Sequence, residues 1–304
     1  MRLALPAALV ATLLLAPSAH ALRLPDAPGC PVFPASSVWN KRVDKLPLRK
    51  DSKTIVKAIG ANLNVHADFG SGLWDGGPIG IPITVVDSLQ PSSAVNFHYD
   101  EESDPGPYPI PDGVAIEGGP SADGDRHAII VQRDSCTLYE LFNLWPAPWE
   151  AGSGAIWNLR SNALRPRGWT SADAAGLPIL PGLARYDEVA RGVIDHALRF
   201  TVSRTRRAYV YPARHYASSY TSKRLPPMGL RLRLRKSFPV ASFPPQARVV
   251  LRALKRYGMI VADNGSSWYI SGAPDPGWDN DQLHTLHRVK GSAFRVVNTS
   301  KLRP

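Results

Sequence analysis

Residues 229–235 read GLRLRLR, leucine and arginine alternating without error. Only a strand turns a period of two into one apolar and one charged face, so this run excludes a helical reading of its segment. Runs 126–132, 136–142 and 196–202 alternate in the same way, and 79–86, 94–99, 208–211, 259–262, 268–270 and 294–298 are short and β-rich. The chain carries 24 glycines and 29 prolines, enough to punctuate many short strands and too many for a helical bundle. Only 245–257 is a strong helix, with Pro245 near its start, and 51–60 and 279–289 are shorter ones. The expected fold is therefore mainly β: a two-sheet β-sandwich of jelly-roll type with a few peripheral helices. A parallel sheet with helical crossovers is the alternative, and it lacks the helices for its crossovers. Asp263-Asn264-Gly265 predicts a hairpin between 259–262 and 268–270. Arg231, Arg233 and Arg235 form a stripe on one sheet face, either an anion-binding surface or an edge protected by charge.

The chain begins with Arg2, an apolar run over 3–15 and the triplet Ala19-His20-Ala21. That is the pattern of a secretory signal peptide over 1–21, leaving 22–304 as one β-sandwich domain with an N-terminal arm. No other stretch has the length and apolarity of a membrane span. The expected location is secreted or periplasmic, where Cys30 and Cys136 pair as a disulfide. The formal net charge is +11. Outside the cytosol, a basic protein meets acidic polysaccharide or cell-wall glycan sooner than nucleic acid; a basic surface with no partner is the plainer reading.

Several chemistries lack their motifs. There is no GxSxG elbow, HExxH, phosphate-binding loop or GxGxxG in strand-to-helix context, and no cofactor is expected. His284 and His287 lie three apart on a helix, but no third ligand is near them in sequence, so no metal is expected. Asp123-Gly124-Asp125 and Asp279-Asn280-Asp281 are calcium-loop fragments without the spacing of a loop.

What remains favours saccharide. Tryptophans and tyrosines crowd the loops and interleave with Asp68, Glu117, Asp125, Glu140, Asp173, Asp187 and Glu188. Glycoside hydrolysis needs two carboxyl groups across one bond, one held protonated. A lyase needs a base such as His and an Arg for a uronate. The expected function is a glycan-cleaving enzyme, hydrolase or lyase; the alternative is a non-catalytic glycan- or wall-binding protein. The expected site lies on one sheet face, roofed by the long insert 155–200 and the loop 213–220. Glu140 and Asp173 are its candidate acid or base, and His127, His196 and His215 its candidate proton-transfer groups. Arg214, Trp169, Tyr216 and Arg199 are the candidate substrate contacts. The competing reading makes His127 and His196 hydrogen-bonded core residues.

The runs DGDRHAIIV (123–131), GWTSADAAGLPILPGLARYDEV (168–189), PPMGLRLRLR (226–235) and YGMIVADNGSSWYISG (257–272) resemble a family of secreted bacterial proteins without an assigned activity. The resemblance implies export and assigns no catalytic residue.

Overall fold

The computed structural model describes residues 22–302; the expected signal peptide lies outside them. Strand residues outnumber helical ones and fall into several sheets, so the protein is mainly β. Ten strands build the two larger sheets: β1 His66–Asp68, β2 Ile83–Val86, β3 Ala128–Gln132, β4 Thr137–Phe142, β5 Ser153–Asn158, β6 Leu198–Val202, β7 Arg231–Leu234, β8 Met259–Asn264, β9 Tyr269–Ser271 and β10 Phe294–Val296. Helices α1 Ser52–Gly60, α2 Tyr186–Ala190, α3 Pro245–Arg256 and α4 Asn280–His284 complete the frame.

The four-stranded sheet has the order β5-β4-β3-β2, antiparallel except for the parallel pair β2–β3. Alternation gives it two apolar faces. Ile129, Val131, Leu138, Ala155 and Trp157 meet the N-terminal arm through Leu22, Val32 and Phe33. Ala128, Ile130 and Leu141 pack on Tyr108, Ile110 and Ile116. A disulfide between Cys30 and Cys136 ties the arm down across 106 residues of sequence.

The six-stranded sheet has the order β10-β7-β8-β6-β9-β1 and mixes parallel and antiparallel pairs. One face buries Leu198, Phe200, Val202 and Leu232 against Val250, Leu251 and Leu254 of α3. The predicted alternation of 229–235 holds, but its arginines are not a free stripe. Arg231 is buried and donates to the carbonyls of Tyr257, Val38 and Lys41 at 2.7–2.8 Å, and Arg233 donates to those of Val43 and Leu46. The N-terminal arm thus satisfies its own carbonyls with these guanidinium groups, and of the three arginines only Arg235 is exposed. Nor do β8 and β9 form a hairpin, because β6 lies between them. The connection arches over the end of β6: Trp268 donates from its backbone to Thr201 O and from its indole to Gly60 O. Its buried ring stacks on Phe294 with centroids 5.2 Å apart. That anchor outweighs the local preference of Asn-Gly for a tight turn.

The insert does not roof a sheet; residues 171–185 are almost wholly buried and run between the two sheets. The backbone of Ala175 donates to Ala262 O and that of Ala184 to Ser271 O, both on the six-stranded sheet. On the other side, the backbone N–H groups of Ile179 and Leu180 donate to Glu140 of the four-stranded sheet. Gly182 leaves no room for a side chain: a Cβ there would lie 2.8 Å from both Arg199 Cβ and the Trp39 ring.

Candidate active site

Where the insert crosses between the sheets, polar side chains collect at one rim. Arg199 leaves β6 on the face opposite the core and meets Asp173 of the insert as a two-point fork, at 2.8 and 3.0 Å. Its remaining donors reach Ser271 Oγ on β9 at 2.6 Å and Asp263 Oδ2 on β8 at 3.3 Å. Asp263 faces this rim because the β6–β8 register slips by one residue: Phe200 pairs with Val261, but Thr201 pairs with Asp263. Ala262 is the extra residue, and its carbonyl is taken by Ala175 of the insert. A one-residue slip moves a side chain to the other face of a sheet, so this bulge turns Asp263 out of the core and into the site.

His127 enters from the start of β3 and is buried. Its Nδ1 lies 2.5 Å from Glu117 Oε2, and its Nε2 lies 3.0 Å from Ala172 O. Burial alone would lower the pKa of this ring, but the charge and hydrogen bond of Glu117 outweigh burial and raise it to about 9. His127 is therefore an imidazolium at neutral pH, donating from both nitrogens. Burial pushes Glu117 up, and the His127 charge pulls it net below the usual carboxylate range. Asp125, His127 and Asp263 each present one polar atom within 4.8 Å of the others. Both nitrogens of His127 are already engaged, by Glu117 and by Ala172 O, so in this arrangement the ring offers a metal no free lone pair.

Five carboxyl groups (Asp68, Glu117, Asp125, Asp173, Asp263) thus share two cations, His127 and Arg199, which favours protonation of some of the acids. Burial, reinforced by the Asp173 charge and opposed by Arg199, raises Asp263 to about 7. Burial and the Glu117 charge raise Asp68, at the end of β1, to about 6.

Two hollows flank the cluster. One, of about 610 Å³, is lined by His66, Asp68, Trp74, Glu117, Tyr269 and His287. The other, of about 360 Å³, is lined by Tyr99, Glu102, Phe142, Asp125, His215 and Asp263. Each has an outward aromatic at its wall: Trp74 is 78% and Tyr99 58% exposed. Trp74 is presented by a two-residue hairpin in which Leu73 pairs with Pro78 and Trp74 with Gly77. Asp75 and Gly76, with φ of 51° and 83°, supply the two positive dihedrals such a tight turn requires. The hairpin lies so close to Gly118 that a Cβ on Gly77 would strike its backbone at 1.9 Å, which fixes Trp74 relative to Glu117. Arg126 holds the loop between Glu117 and Asp125, donating to the carbonyls of Gly119, Pro120, Ala122 and Leu144 and stacking over Trp145 at 3.6 Å.

The expected residues divide. His127, His215 and Arg199 reach the site. His215 lines the smaller hollow, its Nδ1 2.8 Å from Ala174 O, with Tyr216 stacked on it at 5.6 Å. Asp173 lies directly beneath, with no exposure and both oxygens on Arg199. Glu140 is also fully buried, and its oxygens accept the backbone N–H groups of Ile179 and Leu180 at 2.9–3.0 Å. Burial raises it to about 7 against the pull of those donors. His196 lies away from both hollows, its ring nitrogens on Glu188 Oε2 at 3.0 Å and Ala197 O at 2.8 Å. Arg214 donates to Arg165 O, and Trp169 lies beneath the Arg165 guanidinium. Asp125, Asp263, Asp68 and Glu117 hold the places expected of Glu140 and Asp173. Asp263 looked like a turn residue, and only the bulge gives it away. No family model matches this chain, and comparisons with curated proteins and with solved structures find no match either, so the geometry of this rim is the ground for a functional reading.

Proposed function

We propose that the protein is an exported glycan-cleaving enzyme, a glycoside hydrolase with Asp263 as general acid and Asp125 as the opposing carboxylate. One observation carries this: Asp125 and Asp263 lie within 4.8 Å of each other in the lining of the smaller hollow, where Tyr99 also stands, and burial holds Asp263 toward its protonated form. A proton donor poised near neutrality beside a solvent-facing carboxylate matches the split of roles that glycoside cleavage needs. In this reading a sugar chain lies along the rim, with rings against Trp74 and Tyr99. Asp263 protonates the leaving oxygen and Asp125 stabilises or attacks the anomeric carbon. Arg199 positions Asp263 from below, and the His127–Glu117 pair fixes the loop that carries Asp125. We read the two larger sheets as the layers of a sandwich with the site at their common rim. The parallel pairs in both sheets set them apart from an all-antiparallel jelly roll. Export is supported by the disulfide, and among the described residues no helix is long and apolar enough to cross a membrane.

The test is a screen of acidic and neutral polysaccharides that reads new reducing ends and unsaturated-uronate absorbance together. On the substrate found, Asp263→Asn and Asp125→Asn should each lower turnover by about 10²–10⁴-fold with folding intact. Unsaturated products would replace the hydrolase with a lyase. Tight binding without cleavage would support the alternative of a glycan-binding protein, which the same aromatic walls suit.

A further inference from the structure

The larger hollow holds a second group of side chains that the glycan reading does not use. His66 lies on the edge strand β1, stacked on Tyr269 with ring centroids 4.2 Å apart. His284 ends α4, and His287 follows in the next turn. The fold brings these distant segments together. His287 Nε2 lies 2.6 Å from His66 Nδ1 across 221 residues of sequence, and the His284 ring packs on His287 at 4.3 Å. All three line the hollow.

Two imidazole nitrogens this close share at most one proton, the N–H of one ring donating to the lone pair of the other; an ion that displaces that proton would meet both lone pairs. The third imidazole, one helical turn from the second, packs on His287 and has no side-chain hydrogen bond among the described residues, so a rotation of its exposed side chain would bring a third nitrogen to that ion. Three imidazoles with an open side are a ligand set for a zinc-class ion, and imidazole suits zinc, copper and nickel alike. Asp68, two residues from His66 and so on the same face of β1, adds a carboxylate to the same hollow. We propose that His66, His284 and His287 form a binding site for one divalent transition-metal ion of the zinc and copper class, its open side facing the hollow. The expectation of no metal rested on the missing third ligand near His284 and His287 in sequence, and His66 supplies it. The site stands whether or not the neighbouring carboxylates cleave a glycan.

The experiment uses the mature chain without a histidine tag, stripped with chelator and titrated with Zn²⁺ in a calorimeter, with bound metal measured after dialysis. One equivalent should be retained. His66→Ala and His287→Ala should each weaken Zn²⁺ binding by at least about 100-fold, more than outer-shell changes usually do. Asp125→Asn should leave it unchanged. Cu²⁺ bound to the unaltered protein gives a second readout independent of any variant: its electron paramagnetic resonance spectrum should show splitting from imidazole nitrogens. No retained zinc, wild-type affinity in both histidine variants, or a copper spectrum with oxygen ligands only would each overturn the proposal.

Discussion

Replacing Glu117 with Gln removes the charge that keeps His127 protonated, and the consequence for stability has a sign and a pH window. The His127 ring is buried, and its pKa is raised from 6.5 to about 9 despite the opposing pull of burial. At 1.36 kcal/mol per decade this corresponds to about 3 kcal/mol of folding free energy, an upper figure because Glu117 is partly open to solvent. A group whose pKa rises on folding stabilises fully below its unfolded value and loses that contribution as pH climbs through its folded value. The His127 term is therefore whole below pH about 6.5 and gone above about 9. Other groups titrate in the same range, notably Asp263, so the informative quantity is the difference between wild type and Glu117→Gln. Thermal melts at pH 6 should separate the two proteins by about 5–10 °C, and at pH 9.5 most of the gap should close. Urea melts at both pH values give the same comparison as free energies. A gap of equal size at both pH values would refute the argument, because it would mean that Glu117 acts through packing and not through the charge on His127.

Three further outcomes follow. Asp263→Asn should raise the melting temperature by a few degrees at pH 8 while removing activity: the acid's pKa is raised on folding to about 7, so its ionisation opposes folding increasingly above 3.8, and the amide avoids this. For the hydrolase proposed above, the same titration should make turnover of the unaltered protein fall above pH about 7, read from a pH–rate profile. Glu140→Ala strands the N–H groups of Ile179 and Leu180 inside the protein and should cost about 2–4 kcal/mol in urea melts, whereas Glu140→Gln, which keeps an acceptor, should cost much less. Cys30→Ser with Cys136→Ser opens a loop of 106 residues and should lower stability by about 4 kcal/mol, measured against the oxidised parent.

The strands were legible in the chain because alternation is a local property. The faces of 126–132, 136–142, 196–202 and 229–235 emerge as read, and α3 runs from Pro245 as its pattern predicts. Alternation does not say what covers a polar face. The pattern makes Arg231 part of a charged stripe and Arg199 a substrate contact, but the N-terminal arm buries one and the insert the other, both from far away in sequence. The candidate site was legible to the extent that its parts were strand-borne: His127 and Arg199 were singled out by their faces. Asp263 was hidden because a one-residue bulge, set by a hydrogen bond from Ala175, reverses the side that its position implies. His66 was hidden because its companions lie at the other end of the chain. Glu140 was rightly marked as a costly carboxylate among apolar neighbours; its partners proved to be backbone donors of the insert.

The strip of chain running between the sheets also bears on modularity. Each large sheet packs one of its faces on the same short segment, residues 171–185, so a division between the sheets has to part this strip from one of them. A cut in the insert would leave one sheet with an uncovered apolar face and the other with exposed backbone acceptors. Neither half is then a portable unit, and recombination that exchanges one sheet between relatives must carry the strip along. Unfolding should accordingly proceed as one transition, the loss of the strip releasing both sheets together.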